Sequence, residues 1–413
     1  MWTRRWIRML AFTFIAVMFA ASLALRLTAV SGIDYCGNAL FPDFAQVYVA
    51  GQHILNNQGG TLYDKEPFYR EVNGVLNAEG RAGFYPVYPP ITAVLGTPWA
   101  LLSYPEAAWL HALLCVLVAC CLARDMARYF FADSDDAFIA TLLFLAFLPL
   151  WRVWLFGQNS IWALAILWGS WRLWVSGAGL SSGLILSLGL FKPQLFVGAW
   201  LWAILWGNRR LRSGLILGIA AGVALGMICG GGSIWIQWLD AARHTTALVE
   251  RIDWMTSLPH AWKLAGGEGL FGVAWIYTVM AAGVVAWGLA LLQLRWKNAS
   301  PTFALYIALL GGWILTPRLY VYDWILAWPL LLAAWKYGTH RTRLAIAWGG
   351  LLFWIHDFFG MMHIPILTLL GVAAFVWLLR QARGGWAEGL QPLADNQSTA
   401  TVASTAPQEG TPA

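Results

Sequence analysis

The stretch WIRMLAFTFIAVMFAASLALRLTA, residues 6–29, decides the fold class. A helix rising about 1.5 Å per residue over this length crosses a hydrocarbon core of ~30 Å. Arg4, Arg5 and Arg8 precede it as in a secretory signal. The run is too long for a signal, however, and Arg26 stands at its exit where a small-residue cleavage site belongs. It reads as a retained first membrane helix.

The rest of the chain repeats the pattern. Of 413 residues, 60% are hydrophobic and only 11% charged, 28 are Trp, and the mean hydropathy is +0.62. That much apolar surface belongs to a multispanning membrane protein. The expectation is an all-α, polytopic integral membrane bundle of about twelve transmembrane helices. The spans run roughly over 6–29, 104–123, 137–156, 160–176, 177–191, 194–207, 213–231, 270–294, 302–317, 324–336, 343–359 and 362–380. The net charge of +6 has no cluster suited to nucleic acid, so the bilayer is the expected partner. Cys115, Cys120, Cys121 and Cys229 lie in apolar runs and Cys36 alone does not, which suits packing rather than a disulfide framework or a zinc site.

Charge gives the orientation. Alternate loops carry Arg4, Arg5, Arg8, Arg124, Arg128, Arg172, Arg209, Arg210, Arg212, Arg295, Lys297, Lys336, Arg341, Arg343, Arg380 and Arg383, which is 16 of the 26 cations. Cytoplasmic loops hold such excesses, so both termini belong in the cytoplasm of a cell whose inner, or plasma, membrane holds the chain. One membrane domain, 1–383, is expected, with long extracytoplasmic loops at about 30–103 and 232–269. The pieces 43–56 and 91–102 of the first loop suit helices lying along the membrane. The Ser-, Thr-, Ala- and Pro-rich tail 384–413 reads as disordered.

Against this background FPDFAQVY, residues 41–48, is conspicuous, because a carboxylate, Asp43, sits just past a membrane helix. Other polar groups gather on the same outer side. They are Arg152 before LFGQNS (155–160), Lys192 in FKPQ (191–194), Arg318, Tyr320, Tyr322 and Asp323 in TPRLYVYDW (316–324), and His356. Each has a plain structural reading. Lys192 and Arg318 suit snorkelling, Gln158 and Asn159 suit capping, Tyr85 and Tyr88 suit an aromatic belt, and His356 suits packing. Asp43 itself suits the N-cap of the helix after it. Their placement on one side argues instead for a cavity. There a partly desolvated Asp43 acts as a general base, its pKa raised toward the working pH, and cations hold an anionic leaving group.

The succession DFAQVYVAGQHILNNQGGTLYD (43–64), FYPVYPPITAVLGTPWALL (84–102), GQNS, FKPQ and TPRLYVYDW resembles glycosyltransferase family 87. That family is similar to the C-type glycosyltransferases, polytopic helical enzymes that use polyprenyl-phosphate sugars. Its characterised members include polyprenol-phosphate-mannose-dependent mannosyltransferases. The resemblance implies transfer of a hexose from a polyprenyl-phosphate donor to a glycolipid or glycan hydroxyl on the outer face, with inversion. It implies Asp43 as the base, and Lys192, Arg318 and Arg152 as cations for the departing phosphate. Tyr85, Tyr88, Gln158, Asn159, Gln194, Tyr320, Asp323 and His356 would shape the sugar and acceptor pocket. No cofactor or metal is implied beyond the lipid-linked donor. The mannosyltransferases carry histidines in the late motif where this chain has Tyr320, Tyr322 and Asp323, which leaves the sugar open.

Two other readings remain. A flippase for lipid-linked sugars predicts charge near the bilayer midplane and, in many transporter folds, internal repeats, neither of which is evident. An O-antigen ligase or polymerase type would use the second loop, with Arg243, His244 and Arg251.

Overall fold

The computed structural model describes residues 2–30, 32–77, 86–248, 256, 258, 261–262, 270–361 and 365–381. Among them the chain is helical and contains no strand, only isolated bridges joining Ile33 to Val30 and Ala39. The expected tail, 384–413, lies outside the described residues.

Helix α1 (Trp2–Leu27) is followed by α2 (Pro42–Leu55), α3 (Lys65–Leu76) and α4 (Pro90–Gly96). Next come α5 (Tyr104–Phe130), α6 (Ser134–Leu145), α7 (Leu148–Phe156) and α8 (Ser160–Val175). Local chemistry sets these boundaries. Glu106 accepts from the Ser103 backbone N–H at 3.0 Å to open α5, and Asp133 accepts from the N–H groups of Asp135 and Asp136 to open α6. Gly157, at φ 67°, closes α7 in the left-handed conformation.

Among the described residues, four helices are long and apolar enough to cross a membrane: Arg4–Leu27, Tyr104–Phe130, Arg209–Gly230 and Ala274–Trp296. The pair α6 and α7, bent by 45°, makes five if counted as one span. The sequence leads to one crossing over 137–156, and hydropathy does not register the bend within it. Several of the expected spans, Gly179–Phe191, Pro193–Trp206 and Pro301–Leu315 among them, form helices of 10–17 residues. At about 1.5 Å per residue these fall short of a ~30 Å core, so length alone does not carry the count to twelve. Pro301–Leu315 lies in the interior: every residue from Thr302 to Ile314 is buried, and the helix packs against Pro193–Trp206, whereas Leu180, Leu184, Val197 and Ile204 on the other two are exposed. A helix apolar on all sides belongs in a core.

The first long loop is no open excursion. Helices α2 to α4 build a cap with its own core, in which Phe41, Phe44, Tyr48, Phe68, Val72 and Leu76 are buried with Ala107 and Ala108 of α5 and Trp151 and Trp154 of α7. Each buried Phe contributes roughly 1.5–3 kcal/mol. Helix α2 therefore packs within protein and holds its first turn over the ends of α7 and α8.

Candidate active site

Four separate pieces of chain meet beneath the start of α2: the turn Gly157–Ser160, Lys192, the short helix Val321–Ala327 with Tyr320 before it, and Tyr88. The meeting depends on a tight approach. A Cβ on Gly157 would come within 2.8 Å of the Phe44 Cβ and 3.1 Å of the Phe41 Cβ, so only glycine lets the turn reach α2. Phe41 is the N-cap of α2 and sits at φ 51°, ψ 47°, a left-handed conformation costing a bulky residue of order 1–3 kcal/mol. Three contacts hold it there. Tyr104 Oη donates to the carbonyls of Leu40 and Phe41 at 3.0 Å each, and the Arg26 guanidinium lies 4.7 Å over the Phe41 ring. Arg26 is itself buried, donating to the Ser22 and Trp154 carbonyls at 3.0 and 2.8 Å. With Phe41 at the cap position, Asp43 falls in the first turn of α2 rather than capping it.

The Asp43 carboxylate is half-buried. Loss of water pushes its pKa up to about 6; a hydrogen bond from the Gln158 side chain and the charge of Lys192 pull it back, and Asp323 adds to the rise. Behind it lies a buried network. Lys192 Nζ donates to Gln158 Oε1 at 3.1 Å, to Ser160 Oγ at 3.1 Å and to Asp323 Oδ1 at 3.3 Å. An ammonium has three N–H groups, and here protein oxygens take all three. Asp323 also accepts from Ser160 Oγ at 2.6 Å and from the Tyr320 backbone N–H at 3.2 Å. The lysine contact on Gln158 Oε1 fixes the amide orientation, so Nε2 faces Tyr322 Oη at 2.8 Å. The Gln158 side chain also bonds Tyr88. The Tyr320 and Tyr322 rings stack at 5.1 Å, and Lys192 Nζ lies 5.3 Å over the Tyr322 ring.

Of the residues singled out from sequence, Asp43, Tyr88, Gln158, Lys192, Tyr320 and Asp323 come together here. Arg318 is half-buried, donates from Nη2 to the Ala242 carbonyl at 3.2 Å, and interacts electrostatically with Tyr320. Arg152 is buried on α7, one to two turns before the Gly157 turn. Asn159 occupies the N-cap of α8 but makes no side-chain capping bond, and its Oδ1 is buried with no partner among the described residues. The plain capping reading therefore does not hold for Asn159. Gln194 is half-buried in the first turn after Lys192. Tyr85 lies outside the described residues, as do Arg251 and the side chains of His356 and His244, while Arg243 is exposed on the helix Ile234–Leu248.

Sequence reasoning missed Ser160 as a network member and passed over Gln46. Ser160 is a polar residue with its hydroxyl between a lysine and an aspartate, but a serine at a helix start looks like a cap. The signal for Gln46 is its spacing, one turn beyond Asp43 on the same helix.

This arrangement suits removal of a proton by a desolvated carboxylate. A carboxylate with a pKa near neutrality stands at the surface of a rigid polar network, flanked by tyrosine rings and amides that match hydroxyl-rich ligands. A search of curated proteins gives no significant match, and a search of solved structures gives none. The model of glycosyltransferase family 87 matches residues 86–317. This region contains Tyr88, Gln158, Ser160 and Lys192, while Asp43 and Asp323 flank it and fold onto it. With over half of its length matched, the chain belongs to glycosyltransferase family 87, a family of membrane-bound glycosyltransferases.

Proposed function

We propose that this glycosyltransferase moves a hexose from a polyprenyl-phosphate donor to a hydroxyl of a glycolipid or glycan. Transfer takes place at the extracytoplasmic end of the bundle, with both termini in the cytoplasm. Asp43 is the general base. The acceptor O–H gives its proton to the Asp43 carboxylate as the oxygen attacks C1 of the sugar. The C1–O bond to phosphate breaks with its electron pair, and polyprenyl phosphate departs with one more negative charge. Attack opposite the leaving group inverts the anomeric centre.

The observation that carries this reading is the desolvated carboxylate of Asp43 beside the Gln158–Lys192–Asp323 network. Its pKa of about 6 leaves it mostly ionised at neutral pH, yet basic enough to accept a proton in the transition state. The departing phosphate falls to Arg318, whose charge acts on Tyr320 as does that of Asp43, with Arg152 in support. Lys192 instead tunes the carboxylate and orients Gln158. Tyr88, Tyr320, Asn159 and Gln194 line the approach of the sugar.

The test is Asp43→Asn in proteoliposomes given polyprenyl-phosphate hexoses and an acceptor glycoside. The substitution keeps size and shape while removing the base. Transfer should fall by about 10²–10⁴-fold, with insertion and thermal stability retained. Transfer at the wild-type rate removes Asp43 from the mechanism.

A further inference from the structure

His111, on α5, is 3% exposed and touches both elements that carry the reaction. Its ring stacks on that of Phe44, the neighbour of Asp43, with centroids 4.5 Å apart and planes 23° from parallel. Its Nε2 lies 3.2 Å from Nε1 of Trp162, in the first turn of α8 two residues beyond Ser160. An indole N–H can only donate, so Nε2 accepts and the proton of the neutral imidazole sits on Nδ1, facing Cys115 Sγ at 3.8 Å. One hydrogen bond thus fixes both the tautomer and the rotation of the ring.

Packing alone does not call for a histidine here. Phenylalanine would fill the same space, and burying an imidazole costs free energy that its hydrogen bonds must offset. What the imidazole adds is a face for Phe44 and an acceptor for α8 on one rigid plane. Phe44 itself is 1% exposed, and Trp99 meets its ring edge-on at 5.7 Å. Trp99 also meets His111 edge-on at 5.5 Å. The start of α2 is therefore registered against the start of α8 twice, by the close approach of Gly157 to Phe44 and through His111 to Trp162. Gln158, whose side chain bonds Asp43, lies in sequence between these two points.

We infer that His111 is a positioning residue for the base. Held to α8 by Trp162, it seats Phe44 and thereby sets the Asp43 carboxylate against Gln158. The inference rests on the reading of Asp43 as the base. His111 acts through Phe44 and takes no proton from the acceptor.

The experiment compares two acceptors in proteoliposomes given a polyprenyl-phosphate hexose. Octyl mannoside offers ordinary sugar hydroxyls, which need a base, whereas the more acidic hydroxyl of trifluoroethanol needs one less. His111→Phe keeps a ring and removes the acceptor atom, and His111→Gln keeps an acceptor atom and removes the ring. In each variant kcat with octyl mannoside should fall by about 10–100-fold, the scale of a 1 Å misplacement, while the donor KM stays at its wild-type value. With trifluoroethanol the fall should be less than about threefold. Equal losses with the two acceptors mean that His111 only packs, and unchanged kcat means that it does not position the base; either overturns the inference. If His111→Phe fails to fold, His111→Gln decides alone. Asp43→Asn, run alongside, tests the base reading separately. A loss larger with octyl mannoside than with trifluoroethanol upholds that reading even where the His111 variants fail. A loss of equal size with both, or no loss, sinks the base reading and this inference with it.

Discussion

The two ends of the bundle use charge in opposite ways. At one end Arg4 pairs with Asp136 at 3.0 Å, Arg8 with Asp135 at 2.7 Å and Arg172 with Asp125 at 3.5 Å, and the side chains are 33–57% exposed. At the other end the Lys192–Asp323 pair is 4% and 2% exposed, inside a closed set of hydrogen bonds. Helix α8 joins the ends, with Ser160 in the buried network and Arg172 in the exposed one, twelve residues or about 18 Å apart. Exposed pairs are screened and contribute little, and an apolar core could do without a buried pair. Among the described residues the one fully buried pair nonetheless lies directly behind Asp43. The difference separates exposed, solvent-screened pairs at one end from a closed, buried pair at the other, which on the proposed reading serves the reaction.

Breaking the buried pair should give the largest effect on stability. Lys192→Met leaves Asp323 without compensation in a protein interior and should cost about 3–5 kcal/mol in denaturant unfolding. Adding Asp323→Leu should restore most of that loss without restoring transfer, since the orientation of Gln158 is gone. A single variant as stable as wild type would mean that the pair is not holding the site together. At the exposed end, Arg8→Ala should change stability by less than about 1 kcal/mol and leave transfer unaffected. A large loss there would erase the contrast between the two ends.

How far the sequence revealed this follows from what each feature costs. Membrane character was plain, because apolar runs of twenty or more residues have few other uses. The count of crossings was not, because a short apolar run reads alike whether it spans the bilayer or fills the interior, as Pro301–Leu315 does. The bend between α6 and α7 leaves no trace in hydropathy. Lys192, Asp323 and Asp43 stood out because ionisable groups at the ends of apolar helices are expensive. Their pairing did not, since Lys192 and Asp323 are 131 residues apart and nothing in either segment names the other. Phe41 shows the same limit at short range. Asp is the favoured cap, yet Pro42 begins the helix and the cap position falls to a phenylalanine held in place by Tyr104 and Arg26. Ser160 and Gln46 were illegible for a different reason, since small or uncharged polar residues occur in helices for many structural purposes.

The pH dependence of kcat/KM between pH 4.5 and 8 tests the central claim most directly. A base must be ionised to accept a proton. The pKa of Asp43, raised by burial to about 6, therefore predicts a rate that is constant above pH 7 and falls tenfold per unit below about 6. Lys192→Met, by removing the charge that favours the carboxylate, should move that limb to higher pH in whatever activity survives. A wild-type profile that stays level down to pH 4.5 would contradict the account.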